Sequence, residues 1–411
     1  MSLWYLKRFL FFLFLFFFSI NLYAWASETY FSSTLKIKTG YDDNIAFTYY
    51  NPEEDFLTVV SPFVYLNYKS ERTSCYSKFG LDFYKYLNHT NLNTINQDYE
   101  IKGSYFLKER WQVYGNAFFI KDTTLQSELK ETGIVHVREG RKRYQLSFGT
   151  TYLLTELTQL SLDITGSRTE YEWKYYTDYN TLDISTLLQH QLKTQRDALM
   201  TKLYYKNINS DISKVNNVGF LIGWEHLLSE TTKFTAFVGA CYAMMNYYVY
   251  YQSIIFNPSL SPPFQVIIVR KKQTDKEWNY LANLSLQKQT ERSVYSLKGD
   301  HDLVYSSFGE VVNKTHFSGQ FFYKLSFLWS YLFSLNYYIT SSRGKVYKEN
   351  NRLFSLSSGL NYKLKDSWIL SFTYKYSIFN DKIRNHKFSR NRFWIILTLR
   401  LGKPPARSKT F

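Results

Sequence analysis

The sequence predicts an all-β chain, a transmembrane antiparallel β-barrel of about 18 strands (16–20) after an N-terminal signal peptide. Three observations predict it. Apolar and polar residues alternate with period two in segment after segment. The connections between those segments alternate between short and long. Aromatic residues make up 20% of the chain, with 38 Tyr, 34 Phe and 9 Trp, while the mean hydropathy is only −0.34. A helical membrane protein of 411 residues would show several apolar runs of about 18 residues or more, and only the extreme N-terminus approaches one.

The clearest strand is Trp368 to Phe379. Leu370, Phe372, Tyr374, Tyr376 and Ile378 alternate with Ser371, Thr373, Lys375 and Ser377. Successive side chains of a strand point to opposite faces, so this segment has one apolar face and one wet face. A soluble sandwich uses such strands too. The aromatic weight on the apolar face favours a barrel with aromatic girdles at the lipid headgroups.

Taken from the N-terminus, Lys7 and Arg8 precede an apolar run from Phe9 to Phe18, followed by Ala24-Trp25-Ala26. This is the charged, apolar and small-x-small order of a secretory leader. The division expected is residues 1–26 as signal peptide, 27–401 as an outer-membrane barrel, and 402–411 as a periplasmic tail that Pro404-Pro405 keeps out of the ladder. Alternation begins soon after the cleavage site, which leaves no separate N-terminal domain in this reading.

From Ser33 onward, short polar connections such as Glu71-Arg72-Thr73, Lys108-Glu109-Arg110 and Lys365-Asp366-Ser367 read as hairpin turns at one rim. Longer ones, among them Ile45–Asp55, Thr123–Gly140, Lys174–Asn180, Gln252–Lys276 and Asp381–Phe388, read as the opposite rim. Short periplasmic turns and longer outer loops are the asymmetry of a bacterial outer-membrane barrel. Leu160, Leu162 and Ile164 repeat the strand period against Ser161, Asp163 and Thr165, and Phe317 to Leu325 and Phe354 to Tyr362 do the same. Pro62 weakens the segment from Val59 to Tyr68, because proline has no N–H for a central ladder. The loop Gln252–Lys276 carries Pro258, Pro262 and Pro263 and is the expected moving or gating part, folded into the lumen or standing as an outer hairpin.

The formal net charge is +16, and loss of Lys7 and Arg8 with the leader lowers it by two. On an exported chain this points to anionic lipid, lipopolysaccharide or an acidic polymer as partners, and not to nucleic acid. Cys75 and Cys241 lie far apart on separate strands and form no disulfide framework or metal spacing. No cofactor motif appears.

Gly40-Tyr41-Asp42-Asp43-Asn44-Ile45 on the first strand, Ser61-Pro62 on the second and Tyr99 to Leu107 on the fourth resemble the start of the second putative β-barrel porin family. The resemblance implies an outer-membrane barrel associated with exopolysaccharide biosynthesis or export, with Tyr41, Asp42, Asp43 and Asn44 as the family-like motif. Read from the residues alone, Asp42-Asp43-Asn44 is a strand-ending turn, since Asp and Asn bond their own backbone.

A wide barrel has a lumen lined by the polar half of each strand. The expected permeant-contacting residues are Lys78, Lys102, Lys202, Lys298, Lys324, Lys363 and Lys375, accompanied by acids such as Asp82, Glu100, Asp163, Asp300 and Asp302. Excess lysine favours anionic permeants; pairing of these charges across strands is the blander alternative. Tyr84, Tyr204 and Tyr338 are expected to face inward as well.

An enzyme needs a nucleophile and a base within reach of one another. His89, His136 and His386 fall in predicted loops, and alternation sends His301 to the face opposite Asp300 and Asp302, so no catalytic set converges. The function expected is a passive channel or export conduit for polysaccharide or small anionic solutes. A non-transporting structural or assembly barrel of an envelope export machinery is the alternative, and an outer-membrane hydrolase comes last.

Overall fold

The computed structural model describes residues 28–134, 137–173, 175–256, 264–342 and 348–402, with 248–256 and 264–271 as backbone only. The predicted leader and the tail beyond Gly402 lie outside the described residues. Alternation becomes a strand throughout: β1 (Glu28–Asp42), β2 (Asp55–Lys69), β3 (Thr73–Tyr86), β4 (Thr94–Lys108), β5 (Trp111–Thr123) and β6 (Gly140–Leu153). There follow β7 (Thr158–Tyr171), β8 (Tyr179–Gln191), β9 (Asp197–Ser210), β10 (Ser213–Ser229), β11 (Thr232–Phe256) and β12 (Phe264–Gln289). The ring is completed by β13 (Ser293–Tyr305), β14 (Val311–Lys324), β15 (Trp329–Ser342), β16 (Asn350–Lys365), β17 (Trp368–Asp381) and β18 (His386–Gly402). One short helix, α1 (Glu128–Thr132), interrupts the connection from β5 to β6.

Each strand pairs antiparallel with its sequence neighbours, and β1 pairs with β18 from Ser32↔Gly402 to Asp42↔Arg392, so the 18-stranded sheet closes on itself. Closure removes every sheet edge, which is what lets a sheet span a lipid bilayer with all its backbone groups paired. Paired residues share a face, so one inward-pointing residue fixes the parity of the whole ring. Tyr338 and Thr340 touch a segment inside the barrel. Following the register from Tyr338 through His316, Asp300 and Asn283 puts the polar positions inside. The other parity carries the exposed apolar band, with Phe220 44%, Phe317 50% and Ile395 55% exposed. In water each such side chain forfeits about 25 cal/mol per Å² of apolar area; against lipid it forfeits none. The band is that of a membrane-spanning barrel.

One sequence expectation changes. The connection from β9 to β10 is only residues 211–212, a tight turn on the rim that otherwise carries the long loops. Of the two alternatives for Gln252–Lys276, its described residues 252–256 and 264–276 follow the outer hairpin. β11 and β12 pair continuously out to Phe256↔Phe264, while β10 stops at Ser213↔Tyr247 and β13 pairs with β12 no further than Ala282↔His301. The two longest strands therefore project past their neighbours as a hairpin. Pro62 sits where expected in β2, and the ladder to β3 lapses there, passing from Val60↔Phe83 to Phe63↔Gly80.

Candidate functional site

The connection from β5 to β6 enters the lumen with its described residues 124–134 and 137–139. Its near end is anchored beside its own strands. Ser127 Oγ donates to Asp122 Oδ1 at 2.8 Å, Asn96 Nδ2 to Gln126 Oε1 at 2.6 Å, and Arg141 Nη2 to Glu131 Oε2 at 2.7 Å, with Arg143 on the other oxygen of Glu131. Arg141 is buried, so this carboxylate is held by two inward-facing guanidinium groups.

Its far end reaches the opposite wall. β15 lies ten strands on from β5 in the 18-membered ring. There Thr340 Oγ1 donates to the Thr132 carbonyl oxygen at 2.6 Å and Tyr338 Oη to that of Lys130 at 3.1 Å. Glu128 is buried and its carboxylate accepts from the Ser307 N–H at 3.0 Å and from Tyr171 Oη at 3.2 Å. Helix α1 ends at Gly133, whose φ of +74° is the left-handed cap that glycine supplies without penalty. A Cβ at Gly133 would stand 2.5 Å from that of Tyr338, so the loop lies directly against the wall. Leu125 packs with Phe47, Tyr338, Leu353 and Phe379. Phe47 comes from the connection between β1 and β2, so two loops and three wall strands meet in one apolar contact across the outer half of the lumen.

A basic wall lies on the inward face of β1, β17 and β18. Lys375 sits directly opposite Arg392 in the register, and Arg392 sits opposite Asp42. Like charges placed directly opposite on adjacent strands are destabilising. Arg390 is buried and spent, its Nη2 donating to Asp42 Oδ2 at 2.6 Å and its Nε to Oδ1 at 2.9 Å. Arg392 Nε has no hydrogen-bond partner among the described residues. Lys130 of the loop lies within electrostatic reach of Arg392, Lys38 and Lys375. Among the described residues, no carboxylate oxygen lies within 4.0 Å of the cationic groups of Lys38, Lys130, Lys375 or Arg392. The Lys130 ammonium is accessible to water, yet enclosure within the barrel pushes its pKa below the ordinary lysine value. Asp122 offsets part of that shift, and Arg392 and Lys38 add to it.

The register points all seven lysines singled out from the sequence inward, but their surroundings differ. Lys78 is paired with Asp98, Lys102 with Glu100 at 2.8 Å, and Lys363 with Asp366 at 2.5 Å in the turn below it. Lys324 stands at the same short-turn rim, opposite Ser330. Lys202 faces Leu187 and Leu221, and Lys298 faces Ser285 and Ser318. Only Lys375 joins the basic wall. Lys38, Lys130, Arg390 and Arg392 were not singled out. Strand parity signals Lys38 and Arg392, whereas nothing in a sequence places a loop lysine inside a barrel.

Asp300 and His316 face inward on adjacent strands, His316 Nδ1 and Asp300 Oδ1 being 3.0 Å apart, and Lys314 Nζ bridges Asp300 at 3.2 Å and Asp302 at 3.3 Å. His301 points outward and stacks on Tyr280 at 4.0 Å. Tyr84, Tyr204 and Tyr338 face the lumen, the last stacked on His316 at 4.2 Å. Cys75 and Cys241 are free, with Cys241 buried on the inward face.

The motif from Tyr41 to Asn44 stitches the first strand to the last. Asp42 holds Arg390, while Asp43 Oδ1 accepts from the Asn391 N–H and Oδ2 from Asn391 Nδ2, each at 2.6 Å. Asn44 Nδ2 donates to the Ser389 carbonyl oxygen at 3.2 Å, and Tyr41 Oη to Glu54.

No family model and no curated protein matches the chain. Among solved structures it is similar to OccK2 (OpdF) of Pseudomonas aeruginosa, at 7% identity over 92% of this chain and 98% of that one, TM-score 0.47. It is similar at 8% identity to a BenF-like porin of Pseudomonas fluorescens Pf-5 (92% and 99% covered, TM-score 0.46), and at 6% to the ferric-catecholate import receptor Fiu of E. coli K12 (91% and 82%, TM-score 0.48). At these values the likeness is one of general architecture.

Proposed function

We propose that this chain is a passive outer-membrane channel for small anionic solutes, narrowed by the loop at residues 124–139 and selective through the basic wall beside it. The observation that carries this reading is the convergence of Lys38, Lys130, Lys375 and Arg392 without a carboxylate in salt-bridge contact. Grouping like charges opposes folding, and a permeating anion supplies the missing partner. The lysines at 202 and 298 extend the positive lining, whereas those at 78, 102 and 363 are already neutralised. A loop that crosses the lumen favours small solutes over a polymer, so export of a polysaccharide requires the loop to move first.

A second reading has its own support. The apolar contact of Leu125 and Phe47 with Tyr338, Leu353 and Phe379 suits a barrel that stays shut and serves an envelope assembly as a structural part. Planar-bilayer recording of the refolded mature barrel separates the two. Anion-selective openings whose selectivity falls in Lys375→Gln and Arg392→Gln, but not in Lys78→Gln, support the channel. Silence both in the native barrel and after replacement of residues 125–134 by a short Gly-Ser linker overturns it in favour of the structural role.

A further inference from the structure

Above the crossing loop, at the long-loop rim, lies a cavity of about 410 Å³. Its floor includes Val137 of the loop and Phe379 of the wall. One side is aromatic: Trp173, Tyr175 and Tyr176 from the connection after β7 and Phe308 from the connection after β13. Their rings form a chain of edge and tilted contacts, Trp173 to Tyr175 at 4.9 Å, Trp173 to Tyr176 at 5.0 Å and Tyr176 to Phe308 at 5.5 Å. Tyr175 is 77% exposed, although a ring of that size is ordinarily more valuable packed.

The other side is polar. Glu349 and Asn351 are buried, Asn351 Nδ2 donates to the Glu349 carboxylate, and Asn351 Oδ1 meets no donor among the described residues. Asp381 spends its carboxylate on the turn above it, accepting from the Ile383 N–H at 2.9 Å, the Arg384 N–H at 3.1 Å and Arg384 Nη1 at 3.0 Å. That fixes the Arg384 guanidinium at the cavity, and among the described residues its other N–H donors meet no acceptor.

We propose that this vestibule is a binding site for a sugar ring. A pyranose has an apolar C–H face that packs on an aromatic ring, and a rim of paired hydroxyls that bond a carboxylate, an amide or a guanidinium. Both chemistries meet here across one cavity, within the size range of small-ligand pockets and on the order of one or two sugar rings. A wholly apolar ligand would leave Asn351 Oδ1 buried without a donor among the described residues. A small inorganic anion would meet the carboxylates of Glu349 and Asp381 beside the one guanidinium, so the vestibule differs from the basic wall below. Tyr176 Oη donates to the Val137 carbonyl oxygen at 3.3 Å, so a bound ring rests on the crossing loop itself.

Binding here does not require the barrel to conduct, so it is tested apart from the channel. Isothermal titration of the folded full-length barrel in detergent, with glucose and maltose as probes and the acyclic polyol sorbitol as comparison, gives the readout. Saturable binding of either sugar is expected, with no saturable heat from sorbitol. Trp173→Ala and Tyr175→Ala, both on the loop and outside the sheet, are each expected to weaken the sugar about tenfold, and Lys375→Gln to leave it unchanged. Heat-modified gel mobility establishes that each variant is folded. No saturable sugar binding, equal binding of sorbitol, or affinity indifferent to both aromatic substitutions overturns the site.

Discussion

Tyr338 Oη donates to the carbonyl oxygen of Lys130 at 3.1 Å across 208 residues of sequence and from the opposite wall of the barrel. With Thr340 Oγ1 on the Thr132 carbonyl at 2.6 Å, this pins the turn of α1 to β15 by two side-chain donors to loop backbone. Each such bond contributes about 0.5–1.5 kcal/mol net. The loop is therefore tethered by small increments, and a single well-aimed change is able to free it.

Gly133→Ala is that change. The new methyl meets the Tyr338 Cβ at 2.5 Å and the residue must keep a φ of +74°, so contact and backbone both oppose the present position of the loop. The expected outcome is a larger or more frequently open single-channel conductance with an intact barrel on a gel. Tyr338→Phe, which removes only the hydroxyl, is expected to shift it in the same direction and by less. Unchanged conductance in Gly133→Ala would show that the loop does not limit passage.

Charge at the basic wall sets the second expectation. Lys375→Glu places a carboxylate opposite Arg392 and near Lys130. It removes one positive charge, adds one negative, and neutralises a neighbour by pairing. Reversal-potential measurements in asymmetric chloride are expected to show anion preference reduced or inverted. Lys102→Glu, at a lysine already bonded to Glu100, is expected to move the potential less; an equal shift at both sites would disprove a localised selectivity station.

Lys130 gives that selectivity a pH dependence. Enclosure, with help from Arg392 and Lys38 and against Asp122, lowers its pKa below the ordinary lysine value. A lowered lysine pKa means the positive charge is complete at lower pH and is lost as pH rises, before exposed lysines deprotonate. Anion preference is thus expected to decline as pH rises, before the usual lysine range is reached. In Lys130→Gln it starts lower and that limb of the profile flattens. A variant that keeps the full alkaline decline would assign it to another group.

The ring of strands was legible because period two fixes a face, and both faces of Trp368 to Phe379 are as alternation places them. The inward direction of Lys375 followed from the same parity. Its importance did not, because Arg392 comes from the next strand and Lys130 from a loop whose entry into the lumen depends on tertiary contacts such as Leu125 on Leu353 and Phe379. Of the loop Gln252–Lys276, the expected gating part, residues 257–263 with Pro258, Pro262 and Pro263 lie outside the described residues. The flanking strands of 25 and 26 residues pair past the rim, which for their described residues is the outer-hairpin alternative. Asp42, Asp43 and Asn44 read locally as a turn, and their partners Arg390, Asn391 and Ser389 lie at the other end of the chain.

Those partners supply the last prediction, on the seam that closes the barrel. Asp42 and Arg390 are both buried and joined by a two-pronged bond, and Asp42 also stands opposite Arg392 in the β1–β18 register. Removing one member of a buried pair leaves the other charge uncompensated, at a cost of about 3–5 kcal/mol. Asp42→Ala leaves Arg390 without its carboxylate and removes the negative charge opposite Arg392; it is expected to be the worse single change, lowering the temperature at which the folded band converts to the unfolded one on a heated gel. Arg390→Ala removes the bonded cation but leaves Arg392 able to approach Asp42, so its loss is expected to be smaller. In the double variant the two losses should be less than additive, because the pair is lost only once. Strict additivity would mean that the two side chains stabilise the seam separately and that the motif acts only as the turn its sequence suggests.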